Sequence, residues 1–180
     1  MIIRPERPGD PDDAGAVRAV HTAAFPASDD AGGAPIEAPL VDALRADEGW
    51  LPRLSLLAVV DDRIVGHVVC TRGWVATGPG RGDVPVLGLG PLGVVPAYQG
   101  RGCGTALMHA VLGAADALDE PLVALLGEPA YYGRFGFVAA TDVGITPPDP
   151  GWGRYFQVLV TGGRSSTGTF RYAAPFDDLV

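Results

Sequence analysis

Apolar residues change their spacing several times along this 180-residue chain, and each change marks an element. Met1-Ile2-Ile3-Arg4 reads as a short first strand, followed by a turn rich in proline and aspartate. Asp12 and Asp13 are placed to cap a helix whose Ala16, Val17, Val20, Ala23 and Ala24 recur at helical spacing. Residues 26–35 are small and acidic and predict a loop. Residues 37–45 predict a second short helix with Leu40, Val41 and Leu44 on one face. Two apolar runs, 54–60 and 64–71, flank Asp61-Asp62-Arg63 and predict a β-hairpin. After a loop at 78–83, residues 86–94 read as a strand interrupted by Gly88, Gly90 and Gly93. Residues 105–118 predict a helix with Leu107, Val111, Leu112 and Leu118 as its core stripe, and 122–126 a short buried strand. Beyond Phe137 come a Pro/Gly loop at 146–153, a strand at 155–160 and a last strand at 169–173. No linker or repeat divides the chain, so residues 1–180 are expected to form one domain.

Composition narrows the function. Hydrophobic residues make up 47% of the chain, which suits a packed core rather than disorder. No apolar run is long enough to span a bilayer, and the N-terminus lacks the pattern of a signal segment. A cytoplasmic protein without a membrane partner is therefore expected. Cys70 and Cys103 form neither a disulfide framework nor a metal spacing, so free thiols and no metal are expected. All 13 basic residues are arginine, against 21 acidic ones, for a net charge of −8. That balance argues against nonspecific nucleic-acid binding, which needs a basic face.

Candidate chemistry concentrates where the glycine-interrupted strand runs into the next helix, at Val94-Val95-Pro96-Ala97-Tyr98-Gln99-Gly100-Arg101-Gly102-Cys103-Gly104-Thr105. Alternating glycines allow a tight turn and a close ligand, and the unpaired amides that open a helix attract anions. The physical reading is a cradle for phosphate or pyrophosphate. A P-loop is excluded because the chain has no lysine, and a dinucleotide fingerprint because the glycine spacing is wrong.

The pattern Gln-x-x-Gly-x-Gly in residues 99–104 resembles the acetyl-CoA loop of the GNAT N-acetyltransferase superfamily. Glu128-Pro129-Ala130-Tyr131-Tyr132-Gly133-Arg134-Phe135-Gly136-Phe137 adds a second match, with Tyr132 four residues before a Gly-Phe pair. The wording of that segment is similar to a bacterial branch of predicted acetyltransferases. The resemblance covers most of the chain and implies an α+β, three-layer fold: a mixed, mostly antiparallel central sheet splayed at its fourth and fifth strands and flanked by helices. It implies acetyl-CoA as co-substrate, a primary amine of a small molecule or protein as acceptor, and direct transfer in a ternary complex. A homodimer is left open, as is a non-catalytic acyl-CoA-binding or regulatory module.

Carried over residue by residue, the resemblance assigns the pantetheine arm to backbone amides of Leu92, Gly93 and Val94, with the Leu92 amide polarising the thioester oxygen. Gln99, Gly100, Arg101, Gly102, Cys103, Gly104 and Thr105 would wrap the pyrophosphate, Arg101 through a charge-assisted contact. Cys103 is expected to be a bystander. Tyr132 is the candidate general acid, a phenol of ordinary pKa about 10 expected to hand its proton readily to a thiolate of about 8.5. Tyr131 reads instead as a core aromatic. Arg134 is open between a phosphate contact and a helix C-cap. Glu37 would bind or deprotonate the amine, or simply favour the first turn of its helix. His67 reads as a hydrogen-bonded sheet histidine. No general base is identifiable, and a water relay is the default. The acceptor is expected to be held by loops 26–35, 77–83 and 146–153.

Overall fold

In the computed structural model, residues 1–25, 35–78, 80, 82–161 and 167–179 are described. The loop expected at 26–35 therefore lies almost wholly outside the described residues, as do positions 79 and 81 of the second acceptor loop. A nine-stranded sheet runs through the molecule. Its strands are β1 (Ile2–Pro5), β2 (Trp50–Val60), β3 (Arg63–Ala76), β4 (Val84–Val94), β5 (Leu122–Leu126), β6 (Val138–Ala139), β7 (Ile145–Thr146), β8 (Phe156–Val160) and β9 (Gly168–Arg171). The main path is β1-β2-β3-β4-β5-β8-β6, with β9 pairing β3 and β7. Pairing is antiparallel except at β4–β5 and β7–β9. The helices are α1 (Pro11–Ala24), α2 (Glu37–Ala46), α3 (Cys103–Asp116) and the single turn α4 (Pro129–Tyr132).

The period-two alternation of β2 and β3 serves two cores. Leu54, Leu56 and Ala58 of β2 join Val68 and Cys70 of β3 beneath α3. Their odd-numbered neighbours turn the other way: Leu57 packs with Val17 of α1 and Val41 of α2, and Val69 with Leu40 and Leu44 of α2. The hairpin turn falls on Asp61 and Asp62, both at positive φ, with Val60 opposite Arg63. Leu40, Val41 and Leu44 are buried as their spacing predicts.

Three details differ from expectation. Asp10 caps α1, its carboxylate accepting from the Asp12 and Asp13 amides, while Asp13 is buried. Asp13 accepts instead from Arg4, Arg7 and the Arg7 amide, locking β1 to α1. Helix α3 opens at Cys103, two residues early, and buries Met108 and Ala115 besides Leu107 and Val111, leaving Leu112 and Leu118 half-buried at its edge. Finally, β6 and β7 are two-residue strands, too short to carry a periodicity signal.

The break in β4 places the site. Strand β4 pairs β5 only at Leu87↔Val123 and Gly88↔Ala124. Opposite β3 the register slips between Cys70↔Leu89 and Val68↔Leu92, so Gly90-Pro91 form a bulge with a cis peptide bond. Beyond that bulge the two parallel strands part, leaving Leu92 to Val94 without a neighbour on the β5 side.

Candidate active site

Two cavities of about 370 Å³ each open on either side of the parted strands. Leu92 lines both. The first runs along the glycine loop, past Val94, Gln99, Gly100, Gly102, Cys103, Gly104 and Thr105. Gly102 takes a left-handed φ of 85° as the N-cap of α3, and no side chain caps that helix. The first intrahelical donor is the Ala106 amide, which bonds the Gly102 carbonyl at 2.9 Å. The amides of Cys103, Gly104 and Thr105 precede it and remain available to an anion. Gln99 lines the cleft and fixes the turn, its side-chain amide donating to the Val94 carbonyl at 2.9 Å.

Two expected members of this set lie outside the cleft. Gly93 is buried on the opposite face of β4, as strand alternation requires. Arg101 is exposed and stacks over Tyr98 at 5.7 Å. The cation in the cleft is Arg134. It donates to the Tyr131 carbonyl at 3.1 Å and lies 4.4 Å over the Tyr131 ring, so it both closes the α4 turn and faces the cradle. Tyr131 packs against the core edge as expected, yet also lines the cleft. Its hydroxyl stands 2.8 Å from where a Cβ on Gly104 would sit. Only glycine leaves that space free.

The second cavity is lined mainly by apolar and aromatic side chains, among them Phe25, Ile36, Leu40, Pro91, Trp152 and Phe176. Glu37, at the start of α2, is the one carboxylate among its described lining residues. Tyr132 lines this cavity while its neighbour Tyr131 lines the other. The two rings meet edge to face at 4.9 Å. Burial, with a smaller contribution from Tyr131, pushes the Tyr132 phenol up to about 12. Burial also raises Tyr131, and Arg134 opposes that rise. Cys103 is buried at the first turn of α3.

His67 is fully buried and hydrogen-bonded within the sheet layer, as expected. The sequence reading passes over His21, which is also fully buried and bonded to His67. Its position on the Val17-Val20-His21-Ala24 face of α1, a histidine on an apolar helical stripe, was the available signal. Among the described residues no helix is long and apolar enough to cross a membrane, and no three His, Cys, Asp or Glu side chains gather as metal ligands.

Comparison with known proteins agrees with this geometry. Residues 7–140 match the family model described as an acetyltransferase (GNAT) domain. The chain is 39% identical over 143 residues to the uncharacterized N-acetyltransferase YjhQ of Escherichia coli K12, covering 78% of this chain and 74% of that one. A crystal structure of the GNAT family N-acetyltransferase YhbS from Escherichia coli in complex with CoA superposes with a TM-score of 0.82 at 30% identity, covering 98% of this chain and 91% of that one. A GNAT family acetyltransferase from Brucella melitensis in complex with acetyl-CoA superposes with a TM-score of 0.75 at 34% identity, covering 98% and 97%.

Proposed function

The chain belongs to the GNAT acetyltransferase family, and we propose that it transfers an acetyl group from acetyl-CoA to a primary amine carried on an apolar body, directly between the two bound substrates. The observation that carries this reading is the meeting of an anion-binding cleft and an apolar pocket at Leu92, where β4 and β5 separate. Relatives that bind CoA and acetyl-CoA superpose over nearly the whole chain.

The residues present fit the cofactor. Amides at the start of α3 and the Arg134 guanidinium supply the positive field that a pyrophosphate needs, and Gly104 leaves room for it. Acetyl-CoA supplies the acetyl group as an activated thioester. Leu92, freed from β5 pairing, offers its amide to a carbonyl oxygen, and polarisation by such an oriented donor is worth about 3 kcal/mol of barrier. Glu37 lines the apolar pocket as the contact for an incoming amine.

Tyr132 remains the proton donor to the departing sulfur, but the readiness expected from its ordinary pKa has to be revised. Proton transfer to a free thiolate near 8.5 runs uphill already from a phenol at its ordinary 10, and burial of Tyr132 to about 12 steepens the climb. Donation must therefore accompany C–S cleavage, so that a full thiolate never forms in the buried pocket. Cys103 lines the phosphate cleft, on the other side of Leu92 from the acceptor pocket, which supports direct transfer without an acetyl-enzyme.

Release of CoA thiol from acetyl-CoA tests the reading. The amine panel is 2-phenylethylamine, tryptamine, spermidine, kanamycin and a peptide with a free N-terminus. Turnover is expected to favour the two arylalkylamines. No thiol release with any amine overturns the enzyme assignment, and release with spermidine alone overturns the apolar acceptor.

A further inference from the structure

A buried polar chain crosses the layer between the sheet and helices α1 and α2, and the transfer mechanism above does not use it. It begins at Glu6, just past β1, whose Oε1 accepts from Arg45 Nε of α2 at 2.8 Å. The Ser55 hydroxyl of β2 donates to Glu6 Oε2 at 2.6 Å. Ser55 Oγ lies 2.9 Å from His67 Nε2 on β3, and His67 Nδ1 lies 2.7 Å from His21 Nε2 on α1. Ser55, His67 and His21 are fully buried, whereas Glu6 borders a surface cleft of about 200 Å³ shared with Arg45 and Trp50.

The direction of these bonds follows from one end. Glu6 is paired with Arg45, so its carboxylate accepts and Ser55 spends its only proton on it. Ser55 Oγ must then accept from His67 Nε2–H, which leaves His67 Nδ1 as an acceptor. His21 therefore donates through Nε2–H, and its Nδ1 is a bare lone pair. Among the described residues that nitrogen is buried without a hydrogen-bond partner. It points at β4: a Cβ on Gly93 would stand 2.8 Å from it, and Gly93 sits directly opposite His67 in the β3–β4 ladder. The neighbouring Pro91 and Leu92 line the apolar pocket, as does Phe25, which stacks on the His21 ring at 5.9 Å.

We propose that His21 is the general base of the transfer, with His67, Ser55 and Glu6 as positioning residues that fix its tautomer and take its proton onward. The inference rests on the acetyl transfer proposed above. Phe25 walls the ring from the cavity, so the amine reaches Nδ1 when this side chain swings aside. Once the nitrogen lone pair is committed to the new N–C bond, the nitrogen is acidic and gives one proton to His21 Nδ1. The Nε2 proton of His21 moves to His67 Nδ1, that of His67 to Ser55 Oγ, and that of Ser55 to Glu6 Oε2. The charge change appears on Glu6, whose carboxylate is neutralised beside solvent, and no buried imidazolium persists. Tyr132 supplies the proton that sulfur takes up and recovers one from solvent, so turnover of a neutral amine leaves the proton count unchanged. The chain resets after product leaves: Glu6 returns its extra proton to Ser55 as the same hydrogen bonds run backwards, and His21 Nδ1 gives the amine's proton to water entering the emptied pocket.

Two measurements test this on the full chain. The protein has three histidines, so ¹⁵N-histidine NMR at pH 7.5 resolves each ring. His21 and His67 are expected as neutral rings protonated at Nε2. A proton on His21 Nδ1, or a cationic His21, overturns the proposal. Second, single-turnover rates are measured with enzyme in excess of acetyl-CoA and the fastest amine of the panel at saturation. Glu6→Gln keeps an acceptor oxygen for Ser55 but resists protonation. It is expected to slow turnover at least tenfold while acetyl-CoA affinity stays unchanged. Ser55→Ala is read in the same assay should Glu6→Gln not fold. Wild-type rates in a folded variant overturn the proposal. If no amine is turned over, the acetyl-transfer reading and the base assignment fall together, whereas a failed tautomer pattern in an active enzyme overturns the base assignment alone.

Discussion

Two adjacent tyrosines at the end of a single helical turn face different cavities, and that is where single residues can be told apart. Tyr131 lines the anion cleft with its hydroxyl beside Gly104, and Tyr132 lines the apolar pocket. Tyr132→Phe removes one hydroxyl and leaves the ring packed near Phe137, 6.0 Å away between centroids. Its expected effect is a fall in kcat of roughly 10²-fold, the usual worth of a general acid, with acetyl-CoA affinity preserved. Tyr131→Phe is expected to raise KM for acetyl-CoA and spare kcat. Steady-state kinetics on the pair separates the roles, and a larger kcat loss in Tyr131→Phe reverses the assignment. Because burial holds the Tyr132 phenol near 12, the acid stays protonated through the alkaline range. A loss of rate between pH 8 and 10 that persists in Tyr132→Phe belongs to another group.

At the scale of elements, the join between β4 and α3 does the positioning, and its glycines are not equivalent. Gly102 holds a left-handed backbone, so any side chain there strains the loop itself. Gly104 is helical, and its lack of a Cβ matters for space alone. Gly104→Val is therefore the cleaner probe: it fills the cradle and displaces the Tyr131 hydroxyl while the helix persists. Acetyl-CoA binding by calorimetry is expected to disappear, with the melting temperature lowered by only a few degrees. Retained binding removes the loop from the cofactor site. Much of this region was legible in the sequence, because glycine spacing, the proline lead-in and the helix start are local signals. What escaped was non-local. The direction of Arg134 into the cleft depends on how the turn after α4 sits against the glycine loop. The bulge at Gly90-Pro91 is visible only against the β3 register. His21 was passed over because its hydrogen-bond partner His67 lies 46 residues away.

The whole molecule buries its histidine pair between two cores, and this sets how it responds to acid. Desolvation, helped by the nearby Arg45 charge, lowers His21 from an ordinary 6.5 to about 4, and His67 falls well below the same value for the same reason with His21 adding to it. The folded protein thus binds fewer protons than the unfolded chain, so stability is fully present above pH 6.5 and is lost as pH falls from there toward 4. For His21 alone the loss is about 2 kcal/mol by pH 5 and about 3 kcal/mol by pH 4. Asp13 does not offset this. Hydrogen bonds from Arg4 and Arg7 hold its carboxyl below the usual carboxylate range, so its contribution persists until pH falls below 3.8. Urea unfolding at pH 7.5 and pH 5 is expected to show this destabilisation in the wild type, and a shallower one in His21→Gln, where one of the two buried imidazoles is gone. Equal unfolding free energies at the two pH values in the wild type are incompatible with a neutral, desolvated histidine pair. They would remove the physical basis for a bare Nδ1 held against Gly93 of β4.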